Sequence, residues 1–100
     1  MTKMDKRIIG VWKSDLVDEP TRINIGNVLM EFTEGGKLIY KIFENENVQI
    51  INMVYQLIDD VIFSDQPSNP QVQKTKYKFK GDNILLLEFD GEITVFKRKV

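Results

Sequence analysis

Two stretches, Ile8-Ile9-Gly10-Val11-Trp12-Lys13 and Thr94-Val95-Phe96-Lys97-Arg98, lie near opposite ends of the chain and decide the predicted fold. Trp12 is the single tryptophan, and it follows Gly10 by two residues in a segment typical of a short strand. A glycine at this position lets another backbone come close, and the indole supplies a large area for burial. Arg98 is placed to stack its guanidinium group on that indole. We therefore predict that the first and last strands meet and close a β-barrel.

Composition sets the size and broad class of the protein. The 100 residues, 42% hydrophobic and 29% charged, predict a single domain, 1–100, with a core of modest size. The formal net charge of -1 argues against nucleic acid or an anionic membrane surface as a partner captured by charge. No apolar run is long enough to cross a membrane, so we expect no membrane insertion.

The missing residue types exclude several kinds of chemistry. The chain has no cysteine, which excludes disulfides, a thiol nucleophile and thiolate metal ligands. It has no histidine, so the serines lack their usual general base and metal binding lacks its commonest ligand. We predict no catalytic residue, no metal site and no cofactor. The compartment is undetermined: we expect a cytoplasmic protein if the chain is complete as given, and an exported one if a signal peptide has been removed.

Strand signals recur about every 8 to 12 residues, a spacing typical of an all-β meander. The predicted strands cover residues 8–13, 28–33, 37–44, 48–58, 61–64, 71–80, 84–89 and 92–98. Asp90-Gly91, between two apolar runs, is the strongest hairpin signal because a type I′ turn needs positive φ angles. We interpret 14–27 as a loop in which Pro20 prevents a helix, with a short turn compatible with residues 14–17.

Closing the sheet removes the edges of eight short antiparallel strands. The predicted fold class is therefore all-β, an antiparallel up-and-down eight-stranded β-barrel. Such a barrel is either filled by its own side chains or holds one small ligand.

Alternation along the strands identifies the side chains that point inward. The ones expected to line a ligand cavity are Met30, Phe32, Tyr40, Met53, Tyr55, Gln73, Thr75, Tyr77 and Phe79. The polar members of this set need hydrogen-bond partners inside the barrel. They bond to one another or to water at the rim, or they face a ligand; the sequence leaves both interpretations open.

The last hairpin is apolar on both faces, so alternation alone does not orient it. We place the face that includes Leu85 and Phe96 inside. The outer face then carries a candidate interface of four aliphatic residues: Ile84, Leu86, Ile93 and Val95. Either the 14–27 loop covers this patch or a second copy does, as in a homodimer.

Short motifs along most of the chain carry a family resemblance. They are Gly10-Val11-Trp12, Met30-Glu31-Phe32 before Gly35-Gly36-Lys37, Tyr55 before Asp59-Asp60, Tyr77-Lys78-Phe79 before Gly81-Asp82, Leu85 with Leu87, and Gly91 followed by Thr94-Val95-Phe96-Lys97-Arg98. Together they resemble the small bacterial lipocalin-like domains of the calycin superfamily. The resemblance implies that Gly10, Trp12 and Arg98 close one end of the barrel structurally, and that a cavity for a small apolar molecule opens at the other. The chain differs from secreted lipocalins in its shorter length and in lacking disulfides and a C-terminal helix.

Two functions follow from these observations. The first is a non-enzymatic module that binds an apolar or amphipathic small molecule inside the barrel. The alternative is a filled barrel that acts as an interaction or inhibitory module through its outer apolar patch. A continuous internal cavity favours the first, whereas a closed, dry interior favours the second.

Overall fold

The computed structural model describes residues 6–68 and 70–99, which form a closed barrel of eight antiparallel strands in up-and-down order. The strands are β1 (Gly10–Ser14), β2 (Val28–Phe32), β3 (Lys37–Glu44), β4 (Asn47–Ile58), β5 (Val61–Asp65), β6 (Gln73–Lys80), β7 (Ile84–Phe89) and β8 (Glu92–Arg98). β8 returns to pair with β1, with Trp12 opposite Arg98 and Ser14 opposite Phe96. This closure confirms the predicted fold class.

The turn chemistry explains why the strand bounds were predictable. β3, β7 and β8 have the predicted bounds, and the other strands differ from prediction by one or two residues at one or both ends. Between β7 and β8, Asp90 has φ 55° and Gly91 has φ 81°, the positive angles that a type I′ turn requires. The largest difference is at the first strand, where Lys6–Ile8 form a 3₁₀ turn and β1 begins only at Gly10.

The prediction that 14–27 is a loop without a helix is wrong, because Glu19–Asn24 form a short helix, α1. Asp18 caps its N-terminus by accepting a hydrogen bond from the backbone N–H of Thr21. Pro20 lies in the first turn, where a backbone N–H has no partner within the helix, so the proline costs no hydrogen bond. The residue expected to prevent a helix therefore lies at a position where helices favour it.

A buried threonine fixes α1 against the barrel. Thr21 is 0% exposed, and its hydroxyl donates to Asp18 Oδ2 at 2.6 Å. The hydroxyl oxygen of Thr21 in turn accepts the backbone N–H of Val95 on β8 at 2.8 Å. This hydrogen bond lies beyond the point where β1 stops pairing with β8, so the segment after β1 covers the remaining edge of β8.

The up-and-down order gives the barrel two ends with different connections. The turns after β2, β4 and β6 lie at the end where β1 begins, which we call the closed end. The connections after β1, β3, β5 and β7 lie at the opposite end, which we call the open end. The buried hydrophobic cluster is Ile8, Trp12, Val28, Met30, Phe32, Leu38, Tyr55, Leu57, Ile62, Leu85, Leu87 and Phe96.

The helices and the acidic side chains of the described residues bear on function. Neither the 3₁₀ turn nor α1 is long and apolar enough to cross a membrane, and the part of the chain that the structure describes has no other helix. Within residues 6–68 and 70–99, no group of three or more acidic side chains is arranged to hold a metal ion.

Candidate functional site

The inward side chains of β4 show that the barrel is packed at one end and hollow at the other. Tyr55 and Leu57, towards the closed end, are buried at 5% and 7% exposure. Ile51 and Met53 have the same inward orientation but are only half-buried. Because all four alternate with outward residues on one strand, the difference in burial reflects depth along the barrel.

A cavity of about 330 Å³ occupies the open half of the barrel. Ten apolar residues line it: Ile25, Met30, Phe32, Leu38, Ile51, Met53, Ile62, Leu87, Phe89 and Phe96. Seven uncharged polar residues complete the lining: Tyr40, Ser64, Gln66, Gln71, Gln73, Thr75 and Thr94. The volume lies at the lower end of the roughly 300–1,000 Å³ that small-molecule sites occupy.

The polar residues are concentrated on one wall. Five of them belong to β5, β6 and the loop that joins these strands, and Gln73 on β6 lies directly opposite Ser64 on β5. The wall formed by β2, β3 and β4 is apolar except for Tyr40. The cavity therefore presents an apolar face and a hydrogen-bonding face to its contents.

Several of these polar side chains have no partner within the protein. In the described chain, the side chains of Tyr40, Gln73 and Thr75 make no hydrogen bond to another residue. Burial raises the pKa of Tyr40 above its ordinary value of 10.0, so its phenol remains a neutral donor and acceptor at physiological pH. By contrast, the Thr94 hydroxyl has a long contact of 3.5 Å with the Leu87 carbonyl. The unpartnered groups are available to water or to a ligand.

Six of the nine residues predicted to line a cavity do so: Met30, Phe32, Tyr40, Met53, Gln73 and Thr75. Tyr55, Tyr77 and Phe79 point inward but lie towards the closed end. The Tyr55 hydroxyl donates to the Thr33 carbonyl at 2.6 Å, beside the turn after β2. Burial raises the pKa of Tyr55, and the negative charge of Glu34 adds a smaller increase in the same direction.

The other two aromatic residues pack around the tryptophan. The Tyr77 and Phe79 rings meet edge to face at 5.7 Å, and the Phe79 ring lies 5.9 Å from that of Trp12. The Tyr77 hydroxyl donates to the Asp59 carbonyl, in the turn after β4. These contacts fill the closed end and separate it from the cavity.

Trp12 and Arg98 form the centre of the closed end. Trp12 is fully buried, and its indole N–H donates to the Ile8 carbonyl at 2.8 Å. The guanidinium carbon of Arg98 lies 4.2 Å from the centre of the Trp12 ring. This is the stacking that the sequence predicts, and it places the 3₁₀ turn, β1 and β8 in mutual contact.

The same guanidinium group donates hydrogen bonds to three backbone carbonyls. The acceptors are Ile9 at 3.1 Å, Arg7 at 2.6 Å and Asp82 at 3.2 Å. Gly10 has φ 133°, and a Cβ atom there would lie 2.8 Å from Nη1 of Arg98. The glycine therefore makes room for an arginine side chain, whereas the sequence suggested that it accommodates a backbone.

Several lining residues were not predicted to contact a ligand. Gln66 belongs to the loop between β5 and β6, and Ile25 follows α1, so strand alternation applies to neither. Gln71 has the same parity as Gln73 in the predicted 71–80 strand, but it precedes the observed β6 and was not assigned to the cavity. Ser64 points inward on β5, and its position opposite Gln73 would have identified it as a lining residue.

The outer patch of the last hairpin is only partly exposed. Ile84, Leu86 and Val95 are half-buried, whereas Ile93 is 54% exposed. The segment after β1 reaches the backbone of this patch, since the Val95 carbonyl accepts the N–H of Asp15 and its N–H donates to Thr21. On the opposite face of the hairpin, Leu85 and Phe96 are buried, as the sequence analysis expected.

No protein-family model matches this chain, and no curated protein is similar to it in sequence.

Proposed function

We propose that this protein is a non-enzymatic module that binds a small apolar or amphipathic molecule in the open half of its barrel. The observation that carries the proposal is the cavity of about 330 Å³ that opens at one end of the barrel, where inward side chains could have packed together. Close-packed protein interiors contain few voids larger than a water molecule. A cavity of this size within a 100-residue chain is therefore more consistent with a binding site than with a filled core.

The lining favours a ligand over water as the occupant. Without a ligand, a cavity of about 330 Å³ has room for several water molecules. Many of these waters would contact side chains such as Phe32, Leu38 and Phe96, which offer no hydrogen bonds. Replacing such poorly bonded water with an apolar group is favourable.

The lining also explains why we propose binding without catalysis. It holds no carboxylate or cationic side chain, and the chain has neither histidine nor cysteine. The Ser64 hydroxyl consequently has no general base in the lining to activate it. Hydroxyl and amide groups of this kind orient a ligand through hydrogen bonds and do not transform it.

We further propose that the chain is related to the small bacterial lipocalin-like domains of the calycin superfamily. The up-and-down barrel of eight strands supports this relationship. So do the stacking of Arg98 on Trp12 and the placement of the cavity at the end away from that pair.

An NMR titration with octanol tests the binding proposal. Octanol is an uncharged amphiphile small enough for the cavity, and we expect saturable shifts of amide signals around Met53 and Thr75 that exceed those around Leu57. Met53→Trp fills the cavity from its apolar wall and should weaken octanol binding at least tenfold.

Asn52→Trp is the matched control, because it adds the same side chain one residue away on the outer face of β4. It should bind octanol as the wild type does. Absence of saturable binding, or equal binding by Met53→Trp and the wild type, would refute the proposed function.

A further inference from the structure

The cavity lining combines hydrogen-bonding groups with a complete lack of charge. None of the described residues that line it is Asp, Glu, Lys or Arg. The lysines of β6 alternate with its inward residues, and the ammonium group of Lys74 lies over the outward Phe63 ring at 5.6 Å from its centre. The basic side chains of this wall therefore solvate the outside of the barrel.

The acidic residue nearest the polar wall, like the lysines of β6, lies on the outer face of the barrel. Asp65 ends β5, next to Ser64, and its carboxylate accepts the backbone N–H of Gln71 at 2.8 Å. An anion entering the cavity would therefore meet only uncharged side chains. Nothing in the lining offers a compensating cation.

The polar groups on this wall both donate and accept hydrogen bonds. Gln73 offers an amide, and Ser64 and Thr75 offer hydroxyls. Gln73, which is exposed at the rim, and the half-buried Thr75 share the inward face of β6, and neither side chain has a protein partner within the described chain. A ligand head group that also donates and accepts would satisfy them without bringing charge into the barrel.

We propose that the cavity selects uncharged amphiphiles whose head group both donates and accepts hydrogen bonds, such as an amide or an alcohol, and discriminates against carboxylate anions of the same shape. The inference rests on the proposed function and specifies its ligand class. The apolar tail lies against β2, β3 and β4, and the head group lies against β5 and β6. An anion is disfavoured because burying a charge without a partner is costly, whereas a neutral head group exchanges its water for protein hydrogen bonds.

Octanamide and octanoate test this selection at neutral pH. They have the same number of non-hydrogen atoms and nearly the same shape, but only octanoate carries a charge. We expect octanamide to bind at least tenfold more tightly than octanoate in parallel NMR titrations. Octanol is included because it measures whether the cavity binds any uncharged amphiphile.

A positive charge placed on the polar wall should reduce the preference for octanamide over octanoate. In Gln73→Lys, an ammonium group enters the lining, so the ratio of octanamide affinity to octanoate affinity should fall at least threefold. Gln56→Lys adds the same charge to the outer face of β4 and should leave the ratio unchanged.

The outcomes separate the two proposals. If octanol binds but octanoate binds as tightly as octanamide, the selection is refuted and the binding function stands. Equal ratios in Gln73→Lys and Gln56→Lys would also refute the assignment of the head group to this wall. If no member of the series binds the wild type, both proposals fail.

Discussion

Removing the guanidinium group of Arg98 tests how the barrel is closed. Arg98→Ala deletes three hydrogen bonds to backbone carbonyls and the stacking on Trp12. Two of the three bonds are exposed to solvent, which places them at the low end of about 0.5–1.5 kcal/mol each. The stacking contributes about 1 kcal/mol.

Together these contributions predict that Arg98→Ala lowers the free energy of unfolding by about 3 kcal/mol. For a chain of this size, that corresponds to a decrease in melting temperature of roughly 12–24 °C. Arg98→Lys keeps the positive charge but loses the planar group that reaches three carbonyls, so it should lower the free energy of unfolding by about 2 kcal/mol.

Urea unfolding followed by tryptophan fluorescence measures these changes, because Trp12 is the single tryptophan and lies in the affected contact. Arg22→Ala is the control: this arginine is exposed on α1, and its long 3.4 Å contact with the Leu16 carbonyl should contribute less than about 0.5 kcal/mol. The reasoning is refuted if Arg98→Ala and Arg22→Ala unfold at the same urea concentration.

Three further perturbations test other parts of the structure. Trp12→Ala should lower the free energy of unfolding by roughly 3–5 kcal/mol, because it leaves a large void at the closed end; wild-type melting in a calorimeter would contradict this. Thr21→Val should lower the free energy of unfolding by about 1–3 kcal/mol, because it leaves the Val95 N–H unpaired. Thr21→Ser keeps the hydroxyl and should lower it less in the same urea assay. The raised pKa of Tyr40 means that its contribution to stability is fully present below pH 10.0 and is lost as the pH rises through the higher folded-state pKa. Unfolding free energies measured up to that range should therefore fall more steeply with pH in the wild type than in Tyr40→Phe.

Turns and alternation made the barrel predictable from sequence, but the helix was not predicted. Asp90-Gly91 fixed the last hairpin, and the alternation on β6 identified its inward side. For α1, the relevant signal was Asp18 followed by Pro20: a capping residue and then a proline in the first helical turn. A proline considered alone indicates the end of a helix, whereas a proline just after a capping aspartate indicates the start of one.

The position of each inward residue along the barrel axis was harder to predict. Alternation shows whether a side chain points inward, but not how far it lies from either end of the barrel. The chain nevertheless contained the information. Trp12 marks the closed end at the start of β1, so in an up-and-down barrel β4 and β6 must finish there. Tyr55, Tyr77 and Phe79 lie in the later halves of those strands and belong with Trp12, whereas Met53 and Gln73 come earlier and face the cavity.

The pairing of β8 with β1 also has a kinetic consequence. The hydrogen bond from Arg98 to the Ile9 carbonyl joins residues 89 positions apart, so forming it requires most of the chain to be ordered or looped out. Contacts of such long range slow folding, and until β8 arrives, β1 and β7 each carry an unpaired row of backbone groups. We therefore expect ring closure to be a late step. Intermediates that lack it are the species most prone to exchange strands with another molecule.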